Sequence, residues 1–428
     1  MVRLGDSAQV RPRNNGQFDL AHRINSLADY ATKRFRLAGK AYLEEYNPFF
    51  VQTDSARQEA QAHGRNFVSF ANYDYLGISG HPAVKAAAIG ALEEFGVGAL
   101  ASRLVGGERS THHLFEEKLA AFLGVESVLT LVSGYLTNVT TISHMMNTRD
   151  AIFLDELSHN SIISGAKAAA ATSHFFHHND LDHLESLLAQ KRDSYRHVLL
   201  AVESLYSMDG DIVDLPRLVE IKERYNCWLL VDEAHSIGVL GQDGRGLCEH
   251  TGVDPAQIDI IVGTLSKTFA SCGGFIAAKK PVADWLRYTL PGFVFSVGLS
   301  PVISAAASTA LDIIQKDTWR IEKLRHNAEL FIELAHEAGL DTGPAIGRGV
   351  VPILFADGLE TVAASRHLMS HGYYVPPIFQ IGVPKNQPRL RFFLSASHRE
   401  EDIRGVINLL ARHPAQPVVA AEPVSAAT

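Results

Sequence analysis

Trp228-Leu229-Leu230-Val231-Asp232-Glu233-Ala234-His235 is the stretch on which the fold turns. Its apolar run is too short for a helix and follows polar sequence, so it reads as a buried strand. A carboxylate pair and a histidine come directly after it. Other short apolar runs surround this one: Ser127–Leu131, Ala151–Leu154, Ser173–His177 and His197–Val202 upstream, Ile258–Val262 and Phe275–Ala278 downstream. Between them, Asp180–Lys191 and Leu215–Tyr225 place apolar residues at helical spacing. Strands alternating with helices predict an α/β fold with a mostly parallel, seven-stranded sheet. In this reading residues 66–315 form a large domain and 316–412 a smaller α+β domain opened by a helix around Trp319–Ala338. Residues 1–65 form an N-terminal segment, helical near Leu20–Tyr46, and 413–428 a disordered tail.

Composition narrows the function classes. The 428 residues include 39 basic and 47 acidic side chains, for a net charge of −8, and 46% are hydrophobic. That balance excludes a disordered or collagen-like chain and gives no electrostatic footprint for nucleic acid. Three scattered cysteines, Cys227, Cys248 and Cys272, argue against a disulfide framework and fit a reducing cytoplasm. Cys272 reads as a packing residue. The polar N-terminus lacks the apolar run of a signal peptide. Residues 291–311 carry no charge, but Pro301, Gly292, Gly298 and several serines interrupt them. This run reads as a buried or subunit-interface segment, and it leaves peripheral contact with a bilayer open.

Ligands of an open α/β sheet sit outside the carboxyl ends of its strands. Successive strand ends here carry Ser133-Gly134-Tyr135, Asp155 with Ser158-His159-Asn160, Glu203-Ser204-Leu205-Tyr206-Ser207, Asp232-Glu233-Ala234-His235, and Gly263-Thr264-Leu265-Ser266-Lys267. Connections around a packed core do not require such residues, so the strand ends mark a site. Lys267 is a lone cation among small and apolar residues. By itself it also reads as a loop lysine, yet a desolvated amine is the group that forms Schiff bases. Asp232 could ligate a metal, act as a Walker-type aspartate or face a ring nitrogen. Its pairing with Lys267 favours the last, the arrangement that keeps pyridoxal phosphate an electron sink. Ser266 stands where a phosphate-binding loop would need glycine, and no histidine doublet has zinc spacing, so no metal site is expected.

Val231-Asp232-Glu233-Ala234-His235-Ser236-Ile237-Gly238 with Gly241 and Gly244-Arg245-Gly246 resembles the signature of the α-oxoamine synthases, pyridoxal phosphate enzymes of fold type I. Asp74-Tyr75-Leu76-Gly77, His178-Asn179-Asp180, Tyr206-Ser207-Met208-Asp209-Gly210-Asp211 and Gly263–Lys267 follow the same family in order and spacing, from about residue 47 to 412. The resemblance implies a Schiff base on Lys267, Asp232 on the pyridinium nitrogen, His159 stacked on the ring and His235 beside its phenolic oxygen. It implies that Gly134, Tyr135, Ser207 and Thr264 hold the cofactor, mainly its phosphate. Ser296, in Phe295-Ser296-Val297, would reach the phosphate of a partner subunit, making the enzyme a homodimer with shared active sites. Arg391 would grip the amino-acid carboxylate, with Arg389 structural.

The implied reaction joins a small L-amino acid to an acyl thioester, carried on CoA or an acyl carrier protein, and releases CO2 and a free thiol. Tyr73 stands where most of the family has asparagine, and it resembles the bacterial serine palmitoyltransferase branch, as does Asn47-Pro48-Phe49. That favours serine and a long-chain acyl donor. Phe379-Gln380-Ile381 and Ala99-Leu100-Ala101-Ser102-Arg103 depart from the family along the path of the acyl donor. The other branches therefore remain as alternatives: the 8-amino-7-oxononanoate synthase, 5-aminolevulinate synthase and 2-amino-3-ketobutyrate CoA ligase types. A fold type I aminotransferase is the reading outside the family.

Overall fold

The computed structural model describes residues 26–37, 59–62, 65–378 and 387–412. The chain divides into two compact units, 1–50 and 51–428. Within the first unit, helix Leu27–Leu37 opens on Ser26, whose hydroxyl accepts the Asp29 N–H at 3.0 Å. The rest of the helical stretch expected near Leu20–Tyr46, and Asn47-Pro48-Phe49, lie outside the described residues.

The second unit is organised around one sheet. In chain order the described strands are β1 (Glu59–Ala62), β2 (Arg65–Ser69), β3 (Ser127–Leu131), β4 (Ala151–Asp155), β5 (Thr172–Phe176), β6 (Val198–Glu203) and β7 (Trp228–Asp232). They continue with β8 (Ile260–Thr264), β9 (Gly274–Ala278), β10 (Val350–Leu354), β11 (Tyr373–Tyr374), β12 (Pro377–Ile378) and β13 (Arg389–Phe393). Seven of them form the main sheet in the order β3-β9-β8-β7-β6-β4-β5. β9 runs antiparallel to both neighbours and the remaining strands are parallel. The seven predicted strands are therefore the seven of this sheet, with ends displaced by one or two residues.

Alternation along the strands explains why both faces are covered. On β7, Leu229 and Val231 enter the larger apolar cluster, packed under helices Ser110–Leu123, Leu215–Arg224 and Pro301–Lys316. Leu230 points the other way, into the cluster containing Ile142, Met146 and Ile162. Each such buried side chain stabilises the fold by about 1.5–3 kcal/mol. A sheet buried on both faces fits the nearly continuous apolar runs of the sequence. Its polar positions fall where the strands end.

Two small sheets complete the unit: β1-β2-β11, and β10-β13-β12. His398 ties them together. Its Nδ1 accepts the Ser395 N–H at 3.1 Å, its Nε2 lies 3.0 Å from the Ser69 carbonyl and its ring stacks on Phe70 at 4.1 Å. Burial pushes its pKa down to about 4. Among the described residues no helix is long and apolar enough to cross a membrane, and no group of side chains is arranged to hold a metal ion.

Candidate active site

The carboxyl ends of β3, β6, β7 and β8, with the turn after β4, enclose a cavity of about 240 Å³. Gly134, Tyr135, His159, Asp232, His235, Thr264 and Lys267 all line it. The sequence expectation thus brings seven side chains or backbone segments to one place. Ser207, Ser296, Tyr73 and Arg391 do not line the cavity. Cys272, expected as packing, is exposed and stands on its wall.

One end of the cavity is built for an anion. Ser133 caps helix Gly134–Met145 by accepting the Leu136 N–H, and Gly134 and Tyr135, whose first-turn N–H groups have no acceptor within the helix, line the cavity. Thr264 and Ser266, hydroxyls 2.7 Å apart, stand opposite. Residue 134 must be glycine for this approach, since a Cβ there would lie 2.8 Å from Thr264 Oγ1.

The other end centres on Asp232. Its Oδ2 accepts a hydrogen bond from Asn138 Nδ2 at 2.7 Å, and its Oδ1 accepts the Ala234 N–H at 2.9 Å. Asn138 Nδ2 also donates to Ser161 Oγ at 2.9 Å, and that hydroxyl lies 2.7 Å from His159 Nδ1. A continuous set of hydrogen bonds therefore fixes the carboxylate and the imidazole together. Glu233, one residue on, turns away. It bonds the Ser236 hydroxyl and accepts the Leu247 N–H at 3.1 Å, beneath Gly246, where a Cβ would lie 2.6 Å from its Oε2. The adjacent acids thus divide between cavity and scaffold.

Burial sets the proton affinities. It pulls Lys267 down to about 8 against the opposing charges of Asp232 and Glu203. It lowers His159, with Asp232 opposing, and holds His235 well below the usual range, where Lys267 and Arg391 add to the effect. Tyr75 Oη lies 2.7 Å from His235 Nδ1. Glu203, buried on the cavity wall, accepts the His159 N–H at 2.5 Å, and burial with the Asp232 charge raises it to about 8. Sequence reasoning singled out no role for Glu203, Asn138 or Ser161. Glu203 was visible as a strand-end acid, whereas Asn138 and Ser161 reach the site only through packing of their two helices.

Tyr73 and Arg391 come from outside the main sheet. Lys267 Nζ sits 5.6 Å from the centre of the Tyr73 ring, and burial lowers the proton affinity of Arg391 against the opposing influence of Tyr73 and Tyr75. Arg391 Nη1 donates to the Ser207 carbonyl at 3.0 Å and lies 3.2 Å from Met208 Sδ, while its buried Nε has no hydrogen-bond partner. Arg389, on the same face of β13 by the two-residue period, is instead consumed in an ion pair with Asp209 at 2.7 Å. Ser207 meets Arg391 through its carbonyl and lies outside the cavity.

The departures along the expected acyl path divide. Phe379-Gln380-Ile381 lies outside the described residues. Leu100 is 89% exposed at φ 65°, and Phe295, close by in the fold, is 86% exposed. Gly298 N–H donates to the Ala101 carbonyl at 2.9 Å, joining the two segments. The uncharged run is therefore only partly buried within one chain.

The family described as aminotransferase class I and II matches residues 65–410. An 8-amino-7-oxononanoate synthase from Beijerinckia indica subsp. indica is 40% identical over 349 residues, covering 81% of this chain and 88% of the relative. The chain belongs to the α-oxoamine synthases. Solved structures agree. A serine palmitoyltransferase structure with its pyridoxal phosphate internal aldimine superposes with a TM-score of 0.86 at 28% identity, covering 90% of this synthase and 98% of that chain. The serine palmitoyltransferase of Sphingomonas wittichii gives 0.85 at 29%, covering 89% and 96%. The synthase is thus a fold type I, pyridoxal phosphate-dependent acyltransferase. Its cavity fits that cofactor: helix N–H groups and hydroxyls at one end for the phosphate, an anchored carboxylate at the other for the ring nitrogen, and a buried amine between.

Proposed function

We propose that this synthase condenses a small L-amino acid with an acyl thioester to give an α-amino ketone, CO2 and a free thiol. A bond forms between the amino-acid Cα and the thioester carbonyl carbon. The carbon–sulfur bond breaks, and the carboxylate leaves as CO2 with uptake of one proton overall. Arg391 carries the reading: a buried guanidinium, with one N–H unpartnered, lies within the field of Lys267 and suits a carboxylate.

When bound, pyridoxal phosphate supplies an electron sink conjugated to the amino-acid nitrogen. Asp232, held by Asn138 and Ala234, would keep a proton on the ring nitrogen. Lys267 Nζ, lowered to about 8 by burial, takes the Cα proton near neutral pH. His159, fixed through Ser161, would hold the cofactor ring and, with Arg391, would keep the substrate carboxylate in place until condensation is complete. Ser296 lies outside its own chain's cavity between exposed Phe295 and Val297, in a segment joined through Gly298 to the one carrying exposed Leu100 and Val105. Both features support a homodimer in which Ser296 serves the neighbouring site.

Two donor pairs compete. The name 8-amino-7-oxononanoate denotes a methyl-bearing amino carbon joined to a seven-carbon dicarboxylic acyl group, which points to alanine and a short acidic thioester. We put this pair first, because identity to that relative is 40% against 28% and 29% to the serine palmitoyltransferases. Serine with a long-chain donor is the second reading, favoured by Tyr73. A grid of alanine, serine, glycine and threonine against dicarboxylic and long-chain thioesters, on CoA and on carrier protein, separates them. Fastest thiol release with alanine and the seven-carbon dicarboxylic donor is expected. Faster turnover with serine and a palmitoyl donor would install the second reading instead.

A further inference from the structure

His178 lies behind the site, outside the cavity. Its Nδ1 donates to Asp155 at the end of β4, at 2.9 Å, and its Nε2 donates to Asp211 at 3.0 Å. Burial opposes a charge there, but the hydrogen bonds to the two carboxylates outweigh it and raise the imidazole to about 10. It is therefore an imidazolium with both N–H groups spoken for. Asn179 reinforces it, donating its main-chain N–H to Asp155 at 2.8 Å and its amide to Asp211 at 2.5 Å. The Tyr206 ring packs edge-on against His178 at 4.5 Å.

Asp211 closes the turn that follows β6. Leu205 and Ile212 bridge its base, and Tyr206 N–H donates to the Asp211 carbonyl at 2.9 Å. The tip of this turn presents the Ser207 carbonyl and Met208 sulfur to Arg391, and the Met208 carbonyl and Asp209 carboxylate to Arg389. The turn is thus held by His178 on one side and supports both arginines of β13 on the other. We infer that His178 is a positioning residue for substrate recognition, a pin between Asp155 and Asp211 that sets the angle at which Arg391 meets the amino-acid carboxylate. A displacement of about 1 Å at such a group is enough to cost binding and rate.

The inference rests on the reading of Arg391 given above, so the test separates the two. Using holoenzyme, cofactor absorbance is titrated with the tighter-binding of L-alanine and L-serine, and with the matching amino alcohol, which lacks the carboxylate. His178→Gln is expected to weaken the amino acid about tenfold and leave the amino alcohol within twofold. Asp211→Asn removes the other half of the pin and should show the same selectivity, which keeps the test open if His178→Gln folds poorly. Equal weakening of both ligands, or of neither, in the folded variants would overturn the inference. Arg391→Ala should erase the preference for the carboxylate. If it does not, the Arg391 reading falls and the His178 inference falls with it.

Discussion

The two ends of the site are built differently. At the cofactor end, Gly134, Asp232, Thr264 and Lys267 all stand at or just past the ends of strands in one sheet buried on both faces. At the substrate end, Tyr73 precedes the main sheet in sequence, Arg391 comes from β13, and the turn carrying Ser207 and Met208 joins them to the rest. The first end is as rigid as the sheet. The second depends on a turn pinned by a few charge-assisted hydrogen bonds. Variants at the first should abolish chemistry or weaken cofactor binding, and variants at the second should change which substrates bind and how tightly.

The largest effect is expected at Lys267. Lys267→Ala should reduce turnover by roughly a thousandfold or more and remove the visible absorption band of the bound cofactor. A persistent band would mean that another amine carries it. Arg391→Ala comes next, raising the KM for the amino acid about 10- to 100-fold, the equivalent of about 1.5–3 kcal/mol for hydrogen bonds to a charged group. Gly134→Ala puts a Cβ against Thr264 and should weaken cofactor binding roughly tenfold with little change in substrate KM, measured by equilibrium dialysis. Phe295→Glu should shift the protein toward monomer in sedimentation while leaving its fold intact. The smallest effect concerns pH. The His178 value is raised in the folded state from about 6.5 to about 10, so its stabilisation is complete below about pH 6.5 and is lost as pH climbs towards 10. The advantage of wild type over His178→Gln in urea midpoint should shrink across that window.

The cofactor end was the legible one, for a physical reason. A strand buried on both faces must be an uninterrupted apolar run, so Trp228–Val231 announces itself and Asp232, its buried last residue, is the first polar position. The same logic located Thr264 at the end of β8 and Lys267 just beyond it. It could not separate Asp232 from Glu233, which are chemically alike and differ only in which side of the strand end they face. Nor could it give His178 a task. A histidine doublet after a strand has no period to read, and its two carboxylate partners come from separate places, Asp155 from the end of β4 and Asp211 from the turn after β6. Asn138 was hidden likewise, since its donation to Asp232 exists only once helix Gly134–Met145 lies against β7. Ser207 shows the opposite outcome: its place in the motif was readable, but the direction of its carbonyl toward Arg391 was not.

Carbon–carbon bond formation and decarboxylation are expected to occur together in this site, on an amino acid held by Lys267 and Arg391. This is measured with holoenzyme, an amino acid labelled at the carboxyl carbon and the acyl thioester that turns over fastest. Labelled CO2 and free thiol should appear one to one, with neither released in the absence of the other substrate. Conversion of the amino acid to its keto acid with no thiol released would contradict the account and place the chain among enzymes that move an amino group instead.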